Sequence, residues 1–378
     1  NGSSLVQLAR PVDRSPAPPS PSTPAARLTP RRPSDMVQAM MQGLQLGSLR
    51  IDPPLVLAPM AGVTDAAFRR LVKEVSAGCL GLLVTEFVAV EGLIRNVPRL
   101  VATMRPSPAE HPVAVQLHGK EPVRMAEAAQ LAEQAGADLV DINAGCPVRN
   151  IVSKGGGAAL MRDPERLAAI VAAVRRAVSC PVTVKIRAGW DEHSLNAVDI
   201  ARRVVEAGAD GLTVHGRTRS QLYTGRADWG VVRQVREAVP VPVVGNGDLT
   251  SPAQALARLA ETGVAGLMVG RAALGNPWIF KQIVEFAQGV PPCVPTLAEK
   301  LGWWQRYGRE LEQEGLPPRG VLGRMKQLAG PMTRGLVGGA ALRRAIYSCG
   351  DVEEVHRLLQ ELADQDGEVP RPAGEPGE

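Results

Sequence analysis

Cys146 stands between Gly145 and Pro147 and opens a glycine-rich stretch that closes as Lys154-Gly155-Gly156-Gly157. A thiol of ordinary pKa, about 8.5, is mostly protonated at neutral pH. That suits a proton donor better than a nucleophile, because no histidine lies nearby in sequence to draw out a thiolate. The plainer alternative is a small buried hydrophobe. Lys185 ends an apolar run, where an ammonium is costly unless it meets an anion or an electron-rich ring; the alternative is a solvated or ion-paired lysine. Gln116 offers one donor and one acceptor, enough for a ring amide or for bracing a loop. His215 ends another run and could donate to a ring carbonyl. Asn246-Gly247-Asp248 and Gly270-Arg271 follow two later runs. Glycine-approached backbone N–H groups and a forked guanidinium suit a phosphate, although either glycine alone could simply make a tight turn.

These residues need elements to carry them. Between residues 55 and 280, short apolar runs alternate with helical patterns at roughly thirty-residue spacing, the mark of repeated β/α units. The runs are 55–59, 82–86, 113–117, 139–143, 182–186, 211–214, 241–245 and 265–269. They are mostly unalternated Val, Leu and Ile, so burial on both faces is expected, as in a parallel sheet covered by helices. Leu195, Val198, Ala201 and Val205 predict one apolar helix face, and Gly136 and Gly208 predict helix ends. Eight units in this length predict an α/β (β/α)8 TIM barrel rather than an open doubly wound sheet. The site residues then fall at the ends of strands or just after them, at the end of a barrel where active sites lie, and the loops after strands seven and eight are where phosphate is held.

Beyond Phe280 only helical spacing remains, as in Leu301, Trp304 and Tyr307, and later Val352, Val355, Leu358 and Leu359. The expected division is a disordered tail rich in Pro, Ser and Arg over 1–48, a catalytic barrel over 49–290, a small all-helical domain over 291–365 and a disordered acidic tail over 366–378. Residues 1–35 hold eight prolines and cannot bury enough apolar surface to offset chain entropy. The net charge of +5 says little about RNA, because residues 1–50 hold six Arg against two Asp and so account for +4 of it. More telling is polarity within the helical part: six basic residues and no acid between Arg319 and Arg344, against nine acids and two Arg over 351–378. The five cysteines are 67, 34, 113 and 56 residues apart, which excludes C-x-x-C zinc spacing and suits a reducing compartment. With no membrane-length apolar run and no secretory segment, a cytoplasmic, monomeric protein without structural metal is expected. The chain opens on Asn1, and an initiating methionine is expected upstream.

The motifs taken in order resemble the tRNA-dihydrouridine synthases over roughly residues 50–365, most closely the bacterial B-type branch. They are APMAGVTDAAFR at 58–69, DINAGCP at 141–147, KGGGAALM at 154–161, VKIRAGW at 184–190, VHGRT at 214–218, NGD at 246–248 and GRAALGNPWIF at 270–280. The resemblance implies an FMN at the barrel mouth, held by Pro59, Met60, Ala61, Gln116 and Lys185, with His215 near the ring and Asn246, Gly247, Asp248, Gly270 and Arg271 at its phosphate. It implies NADPH as reductant, hydride transfer from flavin N5 to C6 of a uridine in tRNA, and protonation of C5 by Cys146. Asn143 and Lys154 would then contact the extruded base or its neighbours, and the acid-free stretch, with Arg324 and Lys326, would contact tRNA phosphates. Taken alone, that stretch reads equally as a solvated helix face.

Two departures stand out. Ala144 replaces a Met that many relatives carry, and Gly335, Gly338 and Gly339 interrupt the helical part, where glycines inside a helix would cost up to about 1 kcal/mol each. Two rivals share some of these features: a barrel FMN oxidoreductase acting on a small pyrimidine, like dihydroorotate or dihydropyrimidine dehydrogenase, and a non-catalytic RNA-binding module.

Overall fold

Strands that are apolar on both faces must pair along both edges and be covered from outside. The structure, a computed structural model that describes residues 43–368, meets both demands. A hairpin of β1 (Leu44–Leu46) and β2 (Leu49–Ile51) leads into β3 (Leu55–Leu57), β4 (Leu82–Val84) and a two-residue β5 (Val88–Ala89). There follow β6 (Val113–His118), β7 (Leu139–Asn143), β8 (Val182–Arg187), β9 (Gly211–His215), β10 (Val243–Asn246) and β11 (Gly266–Val269). The ring β3-β4-β6-β7-β8-β9-β10-β11 is parallel throughout and closes where Met268 of β11 pairs with Val56 of β3. This is the expected TIM barrel, and its eight strands coincide with the eight apolar runs to within two residues at either end.

Outside the ring lie α1 (Ala66–Val75), α2 (Pro122–Gln134), α3 (Pro164–Ala177), α4 (Ala197–Glu206), α5 (Trp229–Ala238), α6 (Pro252–Thr262) and α7 (Ile279–Ala287). Asp65, Asp163, Asp228 and Ser251 cap α1, α3, α5 and α6 through their side chains, satisfying N–H groups that the first turn leaves open. Gly136 and Gly208 follow α2 and α4 with φ of 100° and 103°, a conformation that ends a helix at no Cβ cost. One expected face is displaced. The buried positions of α4 are Ala197, Ile200, Ala201 and Val204, while Leu195 precedes the helix and is exposed.

The expected tail boundary at residue 48 also falls too late, because β1 belongs to a plug. Leu44, Leu46 and Ile51 are buried with Val56, Leu82, Val84, Ala114, Leu139, Val244 and Met268, filling the end of the barrel where the strands begin. A Cβ on Gly266, the first residue of β11, would stand 2.7 Å from Leu44, so the hairpin seats directly on the strand start. The rest of that expected tail, and residues 369–378 of the acidic one, lie outside the described residues; residues 366–368 are helical.

The chain ends in α8 (Leu297–Gln313), α9 (Pro318–Met332), α10 (Gly339–Ser348) and α11 (Val352–Glu368). Phe68 of α1 meets Trp303 and Tyr307 of α8 edge-on, with ring centroids 5.6 and 6.0 Å apart. Arg70 of α1 pairs with Glu310 and Glu314 at 3.0 and 2.7 Å. Buried aromatic area dominates this junction, because partly exposed ion pairs contribute about 0–1 kcal/mol each. The glycines of GLVGG do not interrupt a helix. Gly335 and Gly338 take positive φ (78° and 71°) in the connection between α9 and α10, and Gly339 begins the latter, so the expected helix-interior cost does not arise. Among the described residues no helix is long and apolar enough to cross a membrane.

Candidate active site

The side chains with chemistry gather where the strands end. Inside that mouth, Thr183 donates to Asp141 Oδ1 at 2.6 Å, and Gln116 Nε2 donates to Asp141 Oδ2 at 2.6 Å. Asn143 Nδ2 in turn donates to Gln116 Oε1 at 2.8 Å, and Asn143 Oδ1 accepts the N–H groups of Gly145 and Cys146. A hydrogen-bonded line thus runs from the barrel interior to the cysteine. Burial pushes the Asp141 carboxyl above its ordinary value, against the donors from Gln116 and Thr183. Gln116 is fully enclosed, and each end of its carboxamide keeps one further hydrogen-bonding position.

Cys146 is half-buried, and its carbonyl accepts the N–H of Ala158 at 3.0 Å, which folds the glycine-rich loop back over it. A Cβ on Gly157 would come within 2.7 Å of that carbonyl, and φ there is 57°, so the loop needs glycine at this point. Burial raises the thiol pKa, opposed by the Val148 N–H and by the positive charges of Arg187 and Lys185. The group is therefore a neutral thiol at neutral pH, a proton held beside two cations. Lys154 on the same loop is exposed.

Lys185 Nζ donates to Asn246 Oδ1 at 3.1 Å, and Asn246 Nδ2 donates to the Met268 carbonyl at 2.7 Å. Burial first, and then Arg187, lowers the Lys185 pKa to about 8, despite the opposing pull of Asp141. Arg187 itself is buried with carbonyls as its hydrogen-bond partners: Gly145 at 2.7 Å, Thr218 at 2.8 Å and Leu222 at 3.0 Å. His215 is buried and kept neutral far below its usual range, chiefly by desolvation and then by Lys185, Arg187, Arg217 and Arg271. Four cations around a neutral imidazole describe a mouth that favours an anion.

Gly247 (φ 131°) rests against His215, and a Cβ on it would stand 2.5 Å from that of Ala227, so the chain can pass here only as glycine. A Cβ on Gly270 would meet Ala58 and Met60 at ordinary contact distance, which places the β11 loop beside the β3 loop. Pro59 and Met60 are half-buried and Ala61 is exposed. Asp248 pairs with Arg217 at 2.8 and 2.9 Å and with Arg271 at 3.1 Å, so its carboxylate orients two guanidinium groups. Tyr223 lies under both Arg271 and Arg187, 5.1 and 5.7 Å from their guanidinium carbons.

Two expected RNA contacts have partners within the chain. Lys326 Nζ donates to the carbonyls of Tyr347 and Cys349 at 2.9 and 2.7 Å, closing the end of α10. Arg324 is only 15% exposed and faces Asp65 and Glu86. The exposed cations of that stretch are Arg319, Arg334 and Arg344. Sequence reading gave no role to Asp141, Arg187, Arg217 and Tyr223, which the fold brings to the mouth. Arg187 and Arg217 each follow an identified residue by two positions, and that strand-end location was the available signal. Among the described residues no group of three or more His, Cys, Asp or Glu side chains could hold a metal ion.

Comparison with known proteins bears on this geometry. The family model described as dihydrouridine synthase matches residues 56–366. A probable tRNA-dihydrouridine synthase of Rhodobacter capsulatus is 46% identical over 68% of this chain and 79% of its own length. A probable tRNA-dihydrouridine synthase 1 of Synechocystis is 42% identical over 84% of this chain and 88% of its own. The tRNA-dihydrouridine synthase B of Xanthomonas axonopodis pv. citri is 43% identical over 68% and 76%. Among solved structures, histamine dehydrogenase from Rhizobium sp. 4-9 superposes with a TM-score of 0.54 at 13% identity, covering 87% of this chain and 65% of that one, a likeness of fold.

Proposed function

The chain belongs to the dihydrouridine synthase family, and we propose that it works as an FMN-dependent tRNA-dihydrouridine synthase that saturates the C5=C6 bond of a uridine in tRNA. The observation that carries this reading is the neutral Cys146 thiol held beside Arg187 and Lys185 at the barrel mouth. Family membership sets it above both rivals, the small-pyrimidine oxidoreductase and the non-catalytic RNA-binding module.

The residues fit FMN. The cation excess around His215 suits an anionic cofactor, Gly247 and Gly270 let backbone approach where side chains would intrude, and Asp248 aims Arg217 and Arg271. Pro59, Met60 and Ala61 would border the ring, Lys185 and His215 would face its polar edge, and Asn246, Gly247, Gly270 and Arg271 would surround the phosphate. When bound, FMN supplies a two-electron reductant for the uracil double bond, replenished by NADPH. Lys185 would balance negative charge at its ammonium. Asn143 holds the Gly145–Cys146 backbone, and so the thiol, in place. Cys146 gives its proton to C5 and regains one from solvent. A uridine must leave its stack to enter such a mouth, and Asn143 and Lys154 would meet it or its neighbours.

The barrel over 49–290 would be the catalytic domain and 291–365 the tRNA-binding one, with Arg319, Arg334 and Arg344 as its exposed phosphate contacts and Arg324 and Lys326 behind them. A cytoplasmic monomer is part of this proposal. The test is nucleoside mass spectrometry of tRNA from a strain lacking its own dihydrouridine synthases, with and without this gene. A gain of uridines heavier by two hydrogens at a defined position is expected. No gain from a flavin-loaded protein would turn the reading toward a small pyrimidine.

A further inference from the structure

The segment that follows β3 is gripped from two sides. From the barrel, Arg69 Nη1 donates to the Thr64 carbonyl at 2.8 Å while its Nε donates to Glu110 at 2.7 Å, both side chains being buried. From the helical region, α9 brings Arg324 over Gly62, where a Cβ would stand 3.2 Å from Nη1. Arg324 Nε lies 3.7 Å from Asp65 Oδ2, and its Nη2 lies 3.9 Å from Glu86 Oε1. Glu86 accepts the N–H of Gly62. Asp65 caps α1 at Phe68 N and accepts the Tyr307 hydroxyl at 2.8 Å from α8. One guanidinium therefore stands between two carboxylates, each fastened to the turn at residues 61–65.

We infer that Arg324 is a positioning residue which, through Glu86 and Asp65, holds that turn against the barrel mouth, so that docking of the helical region sets the shape of the cofactor-bearing segment. This rests on the proposed placement of FMN at Pro59, Met60 and Ala61. A guanidinium whose charge already faces two carboxylates is a poor free contact for a phosphate. Removing it leaves Asp65 and Glu86 facing each other without their cation, and like charges so close disfavour both ionised forms. Burial already lifts the Asp65 carboxyl to about 6, against the lowering effects of the Phe68 N–H, Tyr307 and Arg324.

The experiment uses the full chain. Hydrogen exchange at the amides of residues 61–65 is measured in flavin-free wild type, Arg324→Gln, Arg324→Lys and Glu86→Ala, with the β7 and β8 amides as a control for folding, and FMN titrations follow without RNA. In Arg324→Gln, exchange at the turn and the FMN dissociation constant are expected to rise about three- to thirty-fold, with part of the loss restored by Arg324→Lys. The double variant with Glu86→Ala is expected to lose less than the two single losses combined, even where each single variant is somewhat destabilised. Unchanged exchange and FMN affinity in Arg324→Gln, with the salt slope of tRNA binding reduced by about one, would make Arg324 a direct phosphate contact and overturn the inference. Additive losses in the double variant would overturn it as well. Altered exchange in a protein that takes up no FMN keeps the clamp and removes the cofactor placement instead.

Discussion

Asn143 donates to Oε1 of Gln116 over 2.8 Å in the enclosed floor of the barrel mouth. The same Asn143 side chain takes the N–H groups of Gly145 and Cys146, at 3.1 and 2.9 Å. The cysteine loop is thereby tied to barrel strands, and a thiol on a loop acquires the precision of a sheet.

Asn143→Ala leaves those two amides without their acceptor and lets the loop relax. Dihydrouridine formation is expected to fall about a hundredfold, the scale that misplacement of a reacting group by an ångström carries. FMN affinity should change far less. Single-turnover rates beside a flavin titration check this, and a rate within a factor of two of wild type retires the role.

Cys146→Ala should retain FMN and its reduction by NADPH while losing about a hundred- to ten-thousand-fold in product formation, the range expected for loss of a general acid. Stopped-flow flavin bleaching and nucleoside analysis of the same samples separate the two steps. Undiminished product would assign the proton to another donor.

Lys185 gives a pH dependence with a definite sign. Its pKa of about 8 makes it a cation below that value and neutral above it. FMN affinity should therefore fall as pH rises through about 8. A bound anion favours the ammonium, so the loss in the complex lies at higher pH than in the free protein. Lys185→Met should bind more weakly at pH 7 and show a flatter profile between pH 7 and 9.5. Parallel profiles for the two proteins would exclude the lysine from the cofactor site.

Arg334 and Arg344 are exposed on the helical region. Replacing both with glutamine should weaken tRNA binding and reduce the slope of its logarithmic salt dependence by about one per arginine, with NADPH oxidation unchanged. Binding measured across a salt series tests this, and an unaltered slope would move the RNA surface elsewhere.

The barrel was legible because each of its strands carries its own evidence. Burial on both faces demands a continuous apolar run, and a residue at or just after the end of such a run must lie at the mouth. Cys146, Lys185, His215, Gly247 and Gly270 could all be placed in that way. The hairpin plug could not, since three residues, Leu44–Leu46, carry too little pattern to stand out beside a proline-rich stretch. Nor could the helix after β8, whose buried face runs through Ala197, Ile200 and Val204, one position away from the expected Val198 and Val205. The sequence by itself determined the ring of strands and which residues reach its open end, because periodicity and composition are local. Only the tertiary structure decided that Arg324 and Lys326 turn inward, that Asp248 serves two arginines, and that Asp141 underlies Gln116 and Asn143. A charge is written in the sequence, but the group that answers it is set by chain segments brought together from far apart.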